Sequence, residues 1–356
     1  MPGRKAWQAG NRKIYKSERQ KAHRCLCFLP FFQKDSKTWY AFRFQDFSAH
    51  FQGEKFGADG IHYRKVCYMK SRNRKTYPLW MASPGLLVYV IIFIIPTFAS
   101  FYFSMTIWNL KDAAFVGLEN FITFFTMSNT RTALINTAVF ALTTCLVKIV
   151  LGLLLARYVC SGIRSGKYLK IVIFFPYLLG NVVVALAFRA LLEPAGTVNQ
   201  FLTAIGFEAV HWLTDKRYAL LSCMIADIWK GIGTVTIILI AGICAIPGTY
   251  FEAAAIDGAG PWGIFRRITL PLLLPSINTV LTLCLIGGLR SYDLIQALTG
   301  GGPGYSSEVL GTVIYKLFAR GSYGLATAGN VLLFVAVALI VFPLNSFIAR
   351  REAEIL

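Results

Sequence analysis

The chain has 356 residues, of which 56% are hydrophobic and only 15% charged, with a mean hydropathy of +0.56 and a formal net charge of +19. That balance excludes a water-soluble globule and marks an integral membrane protein. The charge is not a nucleic-acid signature: residues 1–77 hold 18 basic against 5 acidic side chains, a net +13, while the other 279 residues carry only +6. A basic flank ahead of a first span is a topology signal that can also rest against anionic headgroups.

The leader, residues 1–77, is rich in Phe, Tyr, Trp, Lys and Arg but sustains no period of 3.6 or 2 residues, so a poorly ordered extension is expected. It is too long for the n-region of a cleavable signal and no small-residue cleavage site follows, which makes the first span a signal anchor. Met69 opens "MKSRNRKTYPLW", a short basic lead-in directly before that span, so a chain starting there is expected to insert and work normally. His23, Cys25 and Cys27 lack the second paired motif of a zinc site, and no metal is expected. The remaining cysteines, Cys145, Cys160, Cys223, Cys244 and Cys284, lie in or beside apolar runs and act as small hydrophobes.

Six stretches approach the about 20 apolar residues a spanning helix needs: 82–109, 132–156, 171–190, 218–245, 270–289 and 323–348. Hydrocarbon makes each of them helical, because every backbone donor and acceptor must be satisfied within its own segment. The second carries Lys148, expected to snorkel toward the near interface, the alternative being that it faces a pathway. The fourth carries Asp227 and Lys230, three apart on one face and expected to neutralise each other. Orientation follows from the basic residues. The leader, the loop 157–170, the pair Arg266 and Arg267 and the tail pair Arg350 and Arg351 together hold 26 of the 36, against eight in the alternate loops with Arg189. Both termini and the loop bearing Arg266 are therefore expected on the cytoplasmic side of a plasma membrane.

That loop reads "IPGTYFEAAAIDGAGPWGIFRRITLPLLLP". Thr249 and Glu252 have capping-box spacing, Ala253, Ala254 and Ala255 continue a helix, and Gly258 and Gly260 stop it. Pro261 opens a second short helix with Trp262, Ile264 and Phe265, and Pro271 and Pro275 mark the return into the next span. A compact helix-turn-helix over 249–271 is expected, with a small-residue face and an apolar-aromatic face.

Glu252-Ala253-Ala254, then Gly258, then Ile268, Leu270 and Pro271 match position by position the EAA motif of binding-protein-dependent ABC importer permeases, which the chain resembles. The steps "AAAIDGAG", with Asp257, and "YDLIQALTGGGPGYSSEVLGTVIY" are similar to the sugar-type branch, that of the larger membrane subunit of maltose transporters in its six-span form. The resemblance covers about 80–350. It implies an all-α integral membrane protein of the type I ABC importer permease fold: a first helix and external loop over 78–130, then a transmembrane domain over 131–350. It also implies that Glu252, Ala253, Ala254, Asp257, Gly258, Trp262, Phe265, Ile268, Leu270 and Pro271 form a coupling loop that docks on an ATPase subunit.

The implied partners are a second homologous permease, two ABC ATPase subunits, an extracytoplasmic solute-binding protein and a carbohydrate, with no nucleic acid. ATP and Mg belong to the ATPase subunits, and no cofactor is expected on this chain. Its only Gly-Lys pair, Gly166-Lys167, is followed by Tyr168 rather than Ser or Thr, so it lacks a phosphate-binding loop. Sugars favour aromatic faces and amide or carboxylate partners, which makes Tyr177, Asn181, Trp229, Asn278, Tyr292 and Asp293 candidates for the substrate pathway. The competing readings are a secondary active transporter, whose matched broken helices are not visible, a membrane enzyme, and a non-transport membrane scaffold.

Overall fold

The computed structural model describes residues 82–108, 112–162 and 165–355, all within the unit Lys75–Leu356. The expectations for the leader, including its order, the metal-poor cluster at His23 and the start at Met69, lie outside these residues.

Helix α1 (Ser83–Ser104) opens the membrane portion, and none of its spanning window is buried within this chain. A π-turn at Val90–Ile94 precedes Pro96, where the missing N–H and the ring clash would otherwise break the ladder. A hairpin follows, β1 (Thr106–Trp108) against β2 (Ala113–Phe115), antiparallel with Ile107 opposite Ala114. These are the only strands among the described residues. Asn120 of α2 (Glu119–Thr126) pins the hairpin by donating to the Ser104 and Thr106 carbonyls, each at 2.9 Å.

The bundle is organised around α3 (Ser128–Cys160) and α7 (Ala219–Ala245). At 33 residues α3 is about 50 Å long, more than the roughly 30 Å of hydrocarbon, so it projects from the bilayer. Small residues set the close approaches: a Cβ on Gly288 would lie 2.8 Å from the Ala141 Cα, and one on Gly233 would collide with the Ile173 carbonyl. Phe140, Leu239, Leu273 and Ile295 are fully buried in the resulting core.

Among the described residues five helices are long and apolar enough to cross a membrane, and a sixth crossing arises if one bent pair is a single span. Three of the six expected stretches are built differently from expectation: the helix expected over 82–109 ends at Ser104, since Thr106–Trp108 pairs as β1, and two others are broken. The stretch 171–190 is divided: α4 (Gly166–Leu178) ends shortly after Pro176, and extended Leu179 and Gly180 separate it from α5 (Asn181–Leu192). The long apolar helix identified there runs Asn181–Ala204 and includes α6 (Thr197–Ala204). The stretch 270–289 is the bent pair, α9 (Pro261–Leu272) and α10 (Leu274–Leu289), meeting at 65°. Alone, α10 has 16 residues and spans only about 24 Å. The last helix, α13 (Tyr323–Ile355), contains Pro343 and extends past the expected end at 348.

Candidate functional site

The loop between α7 and α10 is a helix-turn-helix, with one change at its start. Helix α8 (Gly248–Ile256) begins after Pro247, whose backbone is extended at φ −59° and ψ 136°. No side chain caps it, so the Thr249 and Glu252 capping box does not form; both residues lie inside the helix. The far end has the Schellman pattern, with the Gly258 N–H donating to Ala255 O at 3.1 Å and the Ala259 N–H to Ala254 O at 3.0 Å. Gly258 has φ +74° and open space where a Cβ would stand, so only backbone strain disfavours a side chain there. Pro261 takes the first turn of α9, as its fixed φ and missing donor favour. A second π-turn, Phe265–Thr269, precedes Pro271 and carries the helix through it to Leu272.

The ten residues expected to form the docking loop divide into two groups. Glu252, Ala253, Asp257, Gly258 and Trp262 are exposed, whereas Ala254 is buried and Phe265, Ile268, Leu270 and Pro271 are half-buried within this chain. Trp262 stacks on Phe265 with centroids 5.6 Å apart, and the Arg157 guanidinium lies 4.5 Å above the Phe265 ring. Phe265, Ile264, Phe251 and Ile243 border a recess of about 440 Å³ between the loop and the ends of α3 and α7. The loop is thereby fastened to the bundle, and Trp262 and Ile256, 66% and 87% exposed, face outward.

A second site lies inside the bundle, a cavity of about 420 Å³ between α3, α4, α7, α10 and the start of α11 (Asp293–Leu298). Tyr177, Asn181 and Asp293 of the six pathway candidates line it. The other three do not. Trp229 packs on Phe188 at 5.4 Å, Asn278 is buried and donates to Asn345 Oδ1 at 2.7 Å, and Tyr292 stacks on Tyr315 at 5.8 Å. Residue type alone could not separate these packing roles from a wall position.

The charges of the cavity differ from their expected pairing. Lys148 does not snorkel: its side chain is 8% exposed and its Nζ reaches Asp227 Oδ2 at 2.6 Å across from α3 to α7. Lys230 turns away from Asp227 and donates to Asn181 Oδ1, while Asn181 Nδ2 donates to Asp293 Oδ2 at 2.6 Å. Gly231 makes the first contact possible, because a Cβ there would stand 2.7 Å from Lys148 Cε and 2.8 Å from its Nζ. The sequence signal for this arrangement was a glycine four residues after an intramembrane aspartate. Arg290 also lines the cavity and has no carboxylate within ion-pair distance among the described residues.

At the opposite end of the bundle from the loop, the glycine-rich segment after α11 folds back against α3. Asn136 Nδ2 donates to the Ser306 and Glu308 carbonyls at 3.0 Å. The Glu308 carboxylate is fully buried and accepts from Lys316 Nζ at 2.8 Å and from Asn129 Nδ2 at 3.4 Å.

Residues 148–351 match the family described as binding-protein-dependent transport system inner membrane component. The trehalose/maltose transport system permease protein MalF of Thermococcus litoralis is 30% identical over 260 residues, 72% of this chain and 88% of that protein. The multiple sugar-binding transport system permease protein MsmF of Streptococcus mutans is 31% identical, over 72% of this chain and 89% of its own length. Among solved structures, a bacterial alginate ABC transporter in complex with an alginate pentasaccharide-bound periplasmic protein has a chain that superposes with a TM-score of 0.67 at 26% identity, covering 77% of this chain and 94% of that one.

Proposed function

This chain belongs to the family of binding-protein-dependent transport system inner membrane components, and on that premise we propose that it is the permease subunit of an ATP-driven carbohydrate importer. The solute would be a di- or oligosaccharide, the class named for the relatives above, delivered by an extracytoplasmic solute-binding protein. A second homologous permease would complete the pathway, and two ABC ATPase subunits would supply ATP and Mg chemistry that this chain lacks a phosphate-binding loop to perform.

One observation carries the reading: α7 holds Asp227 and Lys230 on the cavity wall and, through Ile246 and Pro247, continues directly into α8 of the exposed loop. A partner that grips Trp262 and Ile256 and moves on nucleotide closure would pull on the helix that lines the cavity. The ten loop residues then have two roles, with the exposed set meeting the ATPase and the half-buried set transmitting its displacement. Such coupling is a two-state equilibrium biased by a ligand at a distant site. In this reading the protein lies in the bacterial plasma membrane with the loop and both termini on the cytoplasmic side, as the distribution of basic residues supports.

The test is reconstitution of the chain with its ATPase, second permease and binding protein in proteoliposomes. Labelled oligosaccharide should accumulate only with ATP and with every subunit present. Uptake by this chain alone under a proton or sodium gradient would instead establish a secondary transporter.

A further inference from the structure

The charged lining of the inner cavity specifies more than a carbohydrate. Five charged side chains line it: Lys148, Lys230 and Arg290 against Asp227 and Asp293, a surplus of one positive charge. Both carboxylates are engaged, Asp227 by Lys148 Nζ and Asp293 by the Asn181 amide, each at 2.6 Å. Lys230 touches only the neutral oxygen of Asn181, and Arg290 has no side-chain partner among the described residues. Thr234 Oγ1 on the same wall is buried without a hydrogen-bond partner. The cavity is partly open, yet a cation on its partly desolvated wall is screened less than one in bulk water, and an unmatched cation there favours an anion over a neutral hydroxyl.

We propose, resting on the carbohydrate-importer reading, that the solute passing through this chain bears an acidic group, a carboxylate or a phosphate, that is received by Arg290 with support from Lys230. Arg290 presents a planar fork of donors suited to either oxyanion. Lys230 lines the same cavity, bonded only to the neutral amide oxygen of Asn181 among the described residues, and the buried Thr234 hydroxyl beside it has no hydrogen-bond partner. The Lys148 and Asp227 pair is neutral in sum, so the surplus positive charge rests on Arg290 and Lys230 against the single carboxylate of Asp293.

The experiment uses the reconstituted complex and three probes: maltose as a neutral disaccharide, an oligouronide carrying carboxylates, and trehalose 6-phosphate. Uptake of the oligouronide or of the phosphorylated sugar is expected, and which of the two is carried identifies the acidic group. Arg290→Gln should lower kcat/KM for that solute by about tenfold to a hundredfold, the loss expected for one charge-assisted hydrogen bond. Arg290→Lys should recover part of it. Because the Arg290 side chain makes no ion pair among the described residues, its substitution is expected to leave folding intact, which membrane abundance verifies. Uptake of maltose with both acidic probes refused would overturn the inference and leave the carbohydrate reading standing. Acidic uptake untouched in Arg290→Gln and Lys230→Gln would overturn it as well. Refusal of all three probes by an otherwise assembled complex would remove the carbohydrate reading itself.

Discussion

Lys148 and Asp227 are the residue-scale lesson of this chain. Spacing along one helix pairs Asp227 with Lys230, and a rule of local neighbours cannot see that α3 delivers a closer cation from 79 positions away. What the sequence did hold was the permissive feature, Gly231, through which the Lys148 stem reaches across α7. Removing one member of a desolvated ion pair costs about 3–5 kcal/mol because it strands the other charge, whereas replacing both by apolar residues is often neutral. The lower end applies here, since 21% of the Asp227 side chain remains open to the cavity. Lys148→Met is therefore expected to destabilise the detergent-solubilised protein by about 3 kcal/mol, and adding Asp227→Leu should recover most of that loss. Thermal unfolding of the single and double variants decides it; equal melting temperatures would show that the pair is not coupled.

At the scale of elements, the helices with long apolar runs were legible, and the places where proline and glycine interrupt them were legible only in part. Pro261 as a helix opener and Gly258 as a stop follow from backbone chemistry that no tertiary contact overrides. The division after Pro176 and the 65° bend at Leu273 depend on where neighbours pack: α4 is held against Gly233 of α7, and Leu273 is fully buried. The same distinction separates the aromatic residues of the loop. Phe265 lies beneath Arg157 and contributes to the attachment of the loop, while Trp262 remains outside. Glu252, Asp257, Arg266 and Arg267 sum to zero charge, so attraction beyond the about 8 Å screening length should be weak and affinity must come from burial. At about 25 cal/mol per Å2, burying the exposed faces of Trp262 and Ile256 supplies a few kcal/mol before the entropy of association is subtracted. Trp262→Ala should release the ATPase subunits during co-purification at low and high salt alike, and Arg267→Ala should retain them. Dissociation confined to high salt, or produced only by removing the arginine, would show that charge holds the joint.

At the scale of the whole molecule, the two ends of the bundle are defined by contacts and the assignment of inside and outside by charge. One end brings Arg157, at the close of α3, over Phe265 of the coupling loop. The other gathers Asn129, Asn136, Lys316 and the glycine-rich segment around Glu308. The first end belongs with the loop 157–170, whose four basic residues meet no acid, and with Arg266, Arg267, Arg350 and Arg351, and positive residues in short loops favour the cytoplasmic side whatever acids accompany them. If the bent pair is one span the chain crosses six times, and the topology proposed above then puts the beginning of α1 and the end of α13 on that side and the Glu208 loop outside. Single cysteines in a background with the native cysteines replaced test each position: Gly263→Cys in the coupling loop, Arg350→Cys in α13 and Glu208→Cys between α6 and α7. Gly263 has open space for a side chain, and Glu208 and Arg350 are exposed, so none of the three disturbs packing. A membrane-impermeant maleimide should label Glu208→Cys in intact cells and reach Gly263→Cys and Arg350→Cys only in inverted vesicles. Labelling of Gly263→Cys from outside would place the loop where no ATPase could reach it, and the proposed coupling would fall with the topology.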